Sequence, residues 1–177
     1  KFGLDVYRVS EDVDIPSEER DSQILIPTSE TALAAIHRNE IIDPSTLPRK
    51  YCAFTPCYRR EAGSYRTHDR GTIRGHQFHK VEMFQFVIPE ESDATLQEMV
   101  QHAESLVADL GLHYRVSQLA AADCSAASAK TYDIEVWIPS MNSYEEVSSA
   151  SNTRDYQSRR AHTRVRTASG TRLLHTL

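Results

Sequence analysis

Two long segments, residues 50–60 and 76–88, constrain this chain most. Both are rich in aromatic and β-branched side chains, and the polar, glycine-bearing stretch EAGSYRTHDRG lies between them. Such side chains suit a pleated surface, so the pattern predicts two long antiparallel strands joined by an extended loop. Helical patterns surround this pair. After Pro89, SDATLQEMVQHAESLVADLG places Leu96, Met99, Val100, Ala103, Leu106, Val107 and Leu110 at helical spacing, with Gly111 as a C-cap. Upstream, Ala32, Leu33, Ala35 and Ile36 fall near one face of a helix expected over 28–42, started by Pro27 with Thr28 or Ser29.

Further along, Tyr132, Ile134, Val136 and Ile138 alternate with Asp133, Glu135 and Trp137, the period of a strand with two chemically different faces. Another strand is expected over 143–149. A helix capped by Ser151 or Asn152 should follow, and TRLLHTL reads as a final strand. Hairpin-joined strands with helices inserted between them predict an α+β fold, an antiparallel sheet flanked by helices rather than a parallel dinucleotide-binding arrangement. Neither GxGxxG nor GxxxxGK[ST] occurs, so any nucleotide site must be built another way.

With 177 residues and 40% hydrophobic content, the chain suffices for one core and one domain, burying about 70% of its unfolded surface. It contains no apolar run of eighteen residues and no basic segment leading into an apolar one at its start. The expectation is therefore a cytoplasmic protein without membrane association. Cys52, Cys57 and Cys124 match no paired zinc or disulfide spacing and read as reduced thiols. A net charge of −5 argues against broad nucleic-acid binding, leaving such work to local patches. Two arginine clusters supply them, Arg59, Arg60, Arg66, Arg70 and Arg74, then Arg154, Arg159, Arg160, Arg164 and Arg166. The planar arginine fork suits phosphate and carboxylate.

The strand pair itself carries the chemistry. Within CYRREAGSYRTHDRGTIRGHQFHKVEMFQF, the two strands would bring Arg59, Glu61, Arg74, Phe78 and Glu82 towards one surface. Arginines for a polyphosphate, a ring for a base and carboxylates for amine donors compose an ATP and amino-acid site. The same residues would also suit a solvated charged hairpin. Along HKVEMFQF, alternation puts Lys80, Glu82 and Phe84 on one face with Phe78, and Val81, Met83 and Gln85 on the other.

This segment resembles the second signature motif of class II aminoacyl-tRNA synthetases, and its wording, CYRREAGS and IRGHQFHKVEM, resembles that of seryl-tRNA synthetases. The resemblance also covers IPTSET, AAKTYDIEVWIPSMNSYEEVSSASN and the closing TRLLHTL. It implies a class II synthetase-like fold and a serine–tRNA ligase that activates L-serine with ATP, works with Mg2+, charges tRNA(Ser), acts in the cytoplasm and forms a homodimer.

Roles follow by matching positions. Arg59 resembles the arginine that holds the α-phosphate beside the serine carboxylate, and Arg74 the γ-phosphate clamp; both are catalytic candidates. Glu61 looks like the acceptor of the adenine amine and Phe78 like the ring stacked on adenine, with Arg60 and Gly75 near the nucleotide. Thr28, Ser29, Glu30 and Glu82 match the serine-binding elements, with a helix-cap role also open for Thr28. Glu146, Val147, Ser148 and Ser149 resemble the ATP and metal segment, Glu146 and Ser149 being the metal-facing pair. Strict strand alternation would place Glu146 and Ser148 on one face and Ser149 on the other, so Ser149 requires a local bend or a water-mediated contact.

The pattern departs from the family at Arg66, Thr67, His68 and Asp69, which bears on acceptor-stem contacts. Residues 1–177 would then be a single catalytic core without the first and third class II motifs or the helical tRNA-binding arm. Two other readings remain, a ligase that passes an activated amino acid to a carrier protein, and a non-catalytic synthetase paralogue that binds RNA or protein. Relatives of the first kind use zinc, and Cys52 and Cys57 on one strand would point to opposite faces.

Overall fold

A computed structural model describes residues 5–9, 23–61 and 74–177. Its elements are β1 (Arg8–Val9), β2 (Gln23–Ile24), α1 (Glu30–Ala35), β3 (Ile41–Ile42), β4 (Arg49–Tyr58), β5 (Gln77–Val87), α2 (Ser92–Asp109), β6 (Tyr114–Gln118), β7 (Lys130–Ile138), β8 (Ser143–Asn152), α3 (Tyr156–Ala161), β9 (Arg164–Thr167), β10 (Gly170–Leu173) and β11 (His175–Thr176). The two constraining segments are thus β4 and β5, as expected to within two residues. Most of the loop between them, including Arg66 to Asp69, lies outside the described residues. The strands form sheets of order β1-β2, β10-β9-β3, β11-β5-β4 and β6-β7-β8.

The chain divides into two units, residues 1–33 with 52–82, and 34–51 with 83–177. In the first, the backbone ties chain-distant pieces together. Tyr58 N–H donates to Ile26 O at 2.9 Å, Arg60 N–H to Asp5 O at 2.8 Å and Arg59 N–H to His76 O at 3.0 Å. Val6, Thr28, Ser29, Leu33 and Cys57 are buried there.

In the second, α2 lays Leu96, Met99, Val100, Ala103 and Val107 against Val87, Leu177, Ile134 and Val136. Each of these Val, Leu, Ile and Met side chains contributes about 1.5–3 kcal/mol on full burial. Two residues of the expected apolar stripe stay outside, since Leu106 is 63% and Leu110 72% exposed. Leu106 lies at one edge of the stripe, and Leu110 comes after the last helical residue, Asp109. Gly111 follows the helix with φ +69 and donates its N–H to Ala108 O at 2.9 Å, a left-handed C-terminal turn. His37 is also buried here, its Nδ1–H donating to Glu40 at 2.7 Å and its Nε2 bonding the Tyr51 hydroxyl at 2.6 Å.

Three element boundaries differ from the sequence reading. The helix expected over 28–42 stops at Ala35, because Asn39 turns with φ 63 and Ile41–Ile42 pairs in parallel with β9. Pairing satisfies a β-branched backbone better than another helical turn. The third predicted helix starts later, at Tyr156 with Asp155 at its N-cap position. Asn152 instead ends β8, paired with Lys130, and its Oδ1 accepts the Arg154 N–H at 2.9 Å. The closing segment is two strands, with β10 on β9 and β11 on β5, parted at the fully buried Leu174. Strands β1, β2, β6 and β9 had no sequence expectation.

Candidate active site

Most candidate residues lie in the first unit, just after β4, just before and along the neighbouring β5, and in the segment leading into α1. Arg59 follows β4. Its Nε donates to Pro27 O at 3.2 Å, and its guanidinium lies 5.3 Å from the centroid of the Phe78 ring. Its own carbonyl accepts the His76 Nδ1–H at 3.2 Å. Both the backbone and the head of Arg59 are therefore fixed, and the cation is held on the face of an aromatic ring. Arg60 is exposed.

Glu61 takes a left-handed backbone, φ 51, and its Oε2 accepts from Arg74 Nη1 at 3.1 Å. The two residues matched to adenine and γ-phosphate thus form an ion pair with each other. Gly75 is sterically demanding, because an added Cβ would stand 3.1 Å from Gln77 O. That contact is tighter than a side chain tolerates without a backbone shift.

The amino-acid elements form a closely bonded group. Thr28 is 1% exposed; its hydroxyl donates to Glu82 Oε2 at 2.8 Å and accepts the Glu30 N–H at 3.2 Å. The hydroxyl that accepts from the first amide of α1 thus also bonds Glu82. Lys80 Nζ donates to Thr28 Oγ1 at 3.1 Å and forms an ion pair with Glu82 Oε2. Ser29 is 2% exposed and its Oγ lacks a partner among the described residues, so its hydroxyl faces inward. Lys80 is the residue that sequence reasoning did not assign. Its signal was available, since it shares strand parity with Phe78 and Glu82.

In the second unit, Glu146, Val147, Ser148 and Ser149 lie on β8. Here a β-bulge changes the expected parity. Glu146 faces Glu135 and Ser149 faces Asp133, while the register shifts between Ile134 and Glu135 and leaves Val147 as the extra residue. Directly opposed residues share a sheet face, and Asp133 and Glu135 are two apart, so Glu146 and Ser149 lie on the same face. The separation expected from strict alternation is thereby corrected. On that face Arg115 pairs with Glu135 and holds its carboxyl below the usual range, with Ser117 also donating to it. Asp133 is 7% exposed, its Oδ1 has no partner among the described residues, and burial pushes its carboxyl up. Sequence reasoning missed Asp133, because strand alternation marks a face but not its depth.

Cys52 is exposed and Cys57 buried, on the opposite faces expected of them, and Cys124 is a third free thiol. Among the described residues, no group of three or more His, Cys, Asp or Glu is arranged to hold a metal ion.

Residues 7–175 match the family model described as tRNA synthetase class II core domain (G, H, P, S and T). The chain is 61% identical over 166 residues to serine–tRNA ligase 2 of Clostridium acetobutylicum, covering 94% of this chain and 38% of that protein. Among solved structures it is similar to seryl-tRNA synthetase from Pyrococcus horikoshii complexed with ATP, with TM-score 0.87 and 40% identity over 97% of this chain and 37% of the other. The cytoplasmic serine–tRNA ligase from Naegleria fowleri in complex with AMP gives TM-score 0.85 and 33% identity, covering 97% of this chain and 39% of that one. The chain therefore spans well under half the length of these relatives. With a family model matched along nearly its whole length and antiparallel strands carrying the site, the chain belongs to the class II tRNA synthetase core-domain family.

Proposed function

We propose that the full-length protein containing this chain is a serine–tRNA ligase, which activates L-serine with ATP to seryl-adenylate and transfers it to tRNA(Ser). The observation that carries this reading is the order of groups in the first unit. A cation held against an aromatic ring, Arg59 on Phe78, is followed along β5 by the bonded group of Thr28, Lys80 and Glu82. The relatives named as serine–tRNA ligases, two of them solved with ATP or AMP, support the same substrates.

In this reading residues 1–177 are one catalytic core. Phe78 takes the adenine ring and Glu61 its amine, with Arg60 and Gly75 beside the nucleotide. Arg59 holds the α-phosphate where the serine carboxylate attacks and pyrophosphate departs, and Arg74 leaves Glu61 to clamp the γ-phosphate. Glu82 accepts the serine ammonium. Thr28 and the backbone around Ser29 and Glu30 fix it in place.

Glu146 and Ser149 would hold Mg2+, with Val147 and Ser148 lining the same ATP segment. Their shared face and the unpartnered Asp133 Oδ1 beside it fit a hard cation, which would take its remaining ligands from phosphate oxygens and water. When bound, the ion neutralises phosphate charge. A homodimer and a cytoplasmic location complete the reading. Among the described residues no helix is long and apolar enough to cross a membrane.

ATP–pyrophosphate exchange by the full-length protein tests the proposal. Exchange should require serine. Alanine should support it roughly 10⁴-fold less well, because a site built to bond a hydroxyl is left unpaired by an analogue lacking one. Equal exchange with alanine would overturn the serine assignment.

A further inference from the structure

Phe78, Lys80 and Glu82 succeed one another along one face of β5 in steps of two residues, each about 6.6 Å. If adenine lies on Phe78 and the serine ammonium at Glu82, the junction between carboxylate and α-phosphate falls between them, where Lys80 stands. Resting on that functional reading, we propose that Lys80 is a substrate-binding residue that recognises the amino-acid carboxylate.

Counting hydrogen-bond capacity shows what the group has left to offer. A threonine hydroxyl has one proton and two lone pairs. The Thr28 proton goes to Glu82 Oε2, and its lone pairs take the Glu30 N–H and Lys80 Nζ. Thr28 is saturated and serves to position its neighbours. The Lys80 ammonium has three protons, of which one goes to Thr28 and one to Glu82 Oε2. One N–H remains for a ligand. Glu82 Oε1 accepts no hydrogen bond among the described residues. Neither head is sealed from solvent, the Lys80 side chain being 34% and that of Glu82 15% exposed.

The group therefore offers one carboxylate oxygen and, beside it, one ammonium proton. A free amino acid carries the complementary pair, an ammonium and a carboxylate on one carbon. Oε1 takes the ammonium and the third Lys80 N–H takes the carboxylate. When a carboxylate oxygen bonds to the α-phosphorus and pyrophosphate leaves, the negative charge that remains on the phosphate stays next to Lys80 and Arg59. Amines without a carboxylate meet only half of the site.

Binding titrations of the full-length protein with L-serine, serinamide and ATP test this. Serinamide keeps the ammonium and hydroxyl but replaces the charged carboxylate by a neutral amide. The wild type should prefer serine to serinamide. Lys80→Met should weaken serine by about tenfold or more, the scale of one charge-assisted hydrogen bond, while leaving serinamide and ATP little changed. Lys80→Arg should keep most of the preference. Lys80→Gln, which retains a donor towards Thr28, gives the same comparison should the methionine variant fold poorly. Equal weakening of serine and serinamide would show that Lys80 only positions Glu82, and no weakening of either would show that it does not act there; both overturn the proposal. A wild type that binds ATP but not serine would instead overturn the functional reading beneath it.

Discussion

At the scale of single residues, the candidate site is built from side chains whose positions are set by bonds to backbone and to one another. Arg59 is the clearest example. Its Nε is anchored on Pro27 O and its guanidinium on Phe78, so its head is held with little rotamer freedom. Such a preorganised charge has its effect where charge develops. Arg59→Ala should lower serine-dependent exchange by at least about 10²-fold while leaving the melting temperature nearly unchanged. Near-normal exchange in that variant would remove Arg59 from the site. Glu82 shows what residue-level reading of the sequence leaves open. One carboxylate can be both ligand for an ammonium and partner of a lysine because it has two oxygens, and the structure commits only Oε2 to Thr28 and Lys80.

At the scale of elements, most of the departures from the sequence reading arise at ends and registers. α1 yields its last turns to the β3–β9 pairing, α3 starts after a turn organised by Asn152, and β8 bulges at Val147. The bulge changes which residues share a face, and periodicity alone does not reveal it. By contrast the end of α2 was legible, since Gly111 adopts the left-handed conformation in which a Cβ is costly. An added Cβ at Gly111 meets nothing within 4 Å, so backbone strain alone is at stake. Gly111→Ala should therefore cost about 1 kcal/mol, lowering Tm by roughly 2–4 °C. An unchanged melting curve would mean that the turn relaxes without penalty.

At the scale of the whole molecule, the second unit gathers α2, the β6-β7-β8 sheet and the chain's last residues around one apolar interior, and a histidine sits at its margin. The His175 ring bonds Ser92 Oγ at 2.8 Å, and burial is the largest influence holding its pKa below the usual 6.5. Arg154 adds to that depression, while Asp155, Asp93 and Glu90 oppose it. The unfolded chain then takes up a proton more readily than the folded one. Stability from this group is present above pH 6.5 and is lost as pH falls through that value towards the lower folded pKa. His175→Gln should flatten the fall in Tm between pH 7.5 and 5.5, and parallel curves for the two proteins would rule the histidine out as its source. The sequence by itself determined the class of fold, the two strands of the site and their chemistry. Alternation and helical periods are local properties, and the motif along β4 and β5 is contiguous or nearly so. Only the tertiary structure decided that Thr28 is saturated, that Lys80 belongs to the group and that Glu146 and Ser149 share a face. Each of these depends on the pairing of residues distant along the chain, where hydrogen-bond capacity and strand register are settled jointly rather than by local sequence.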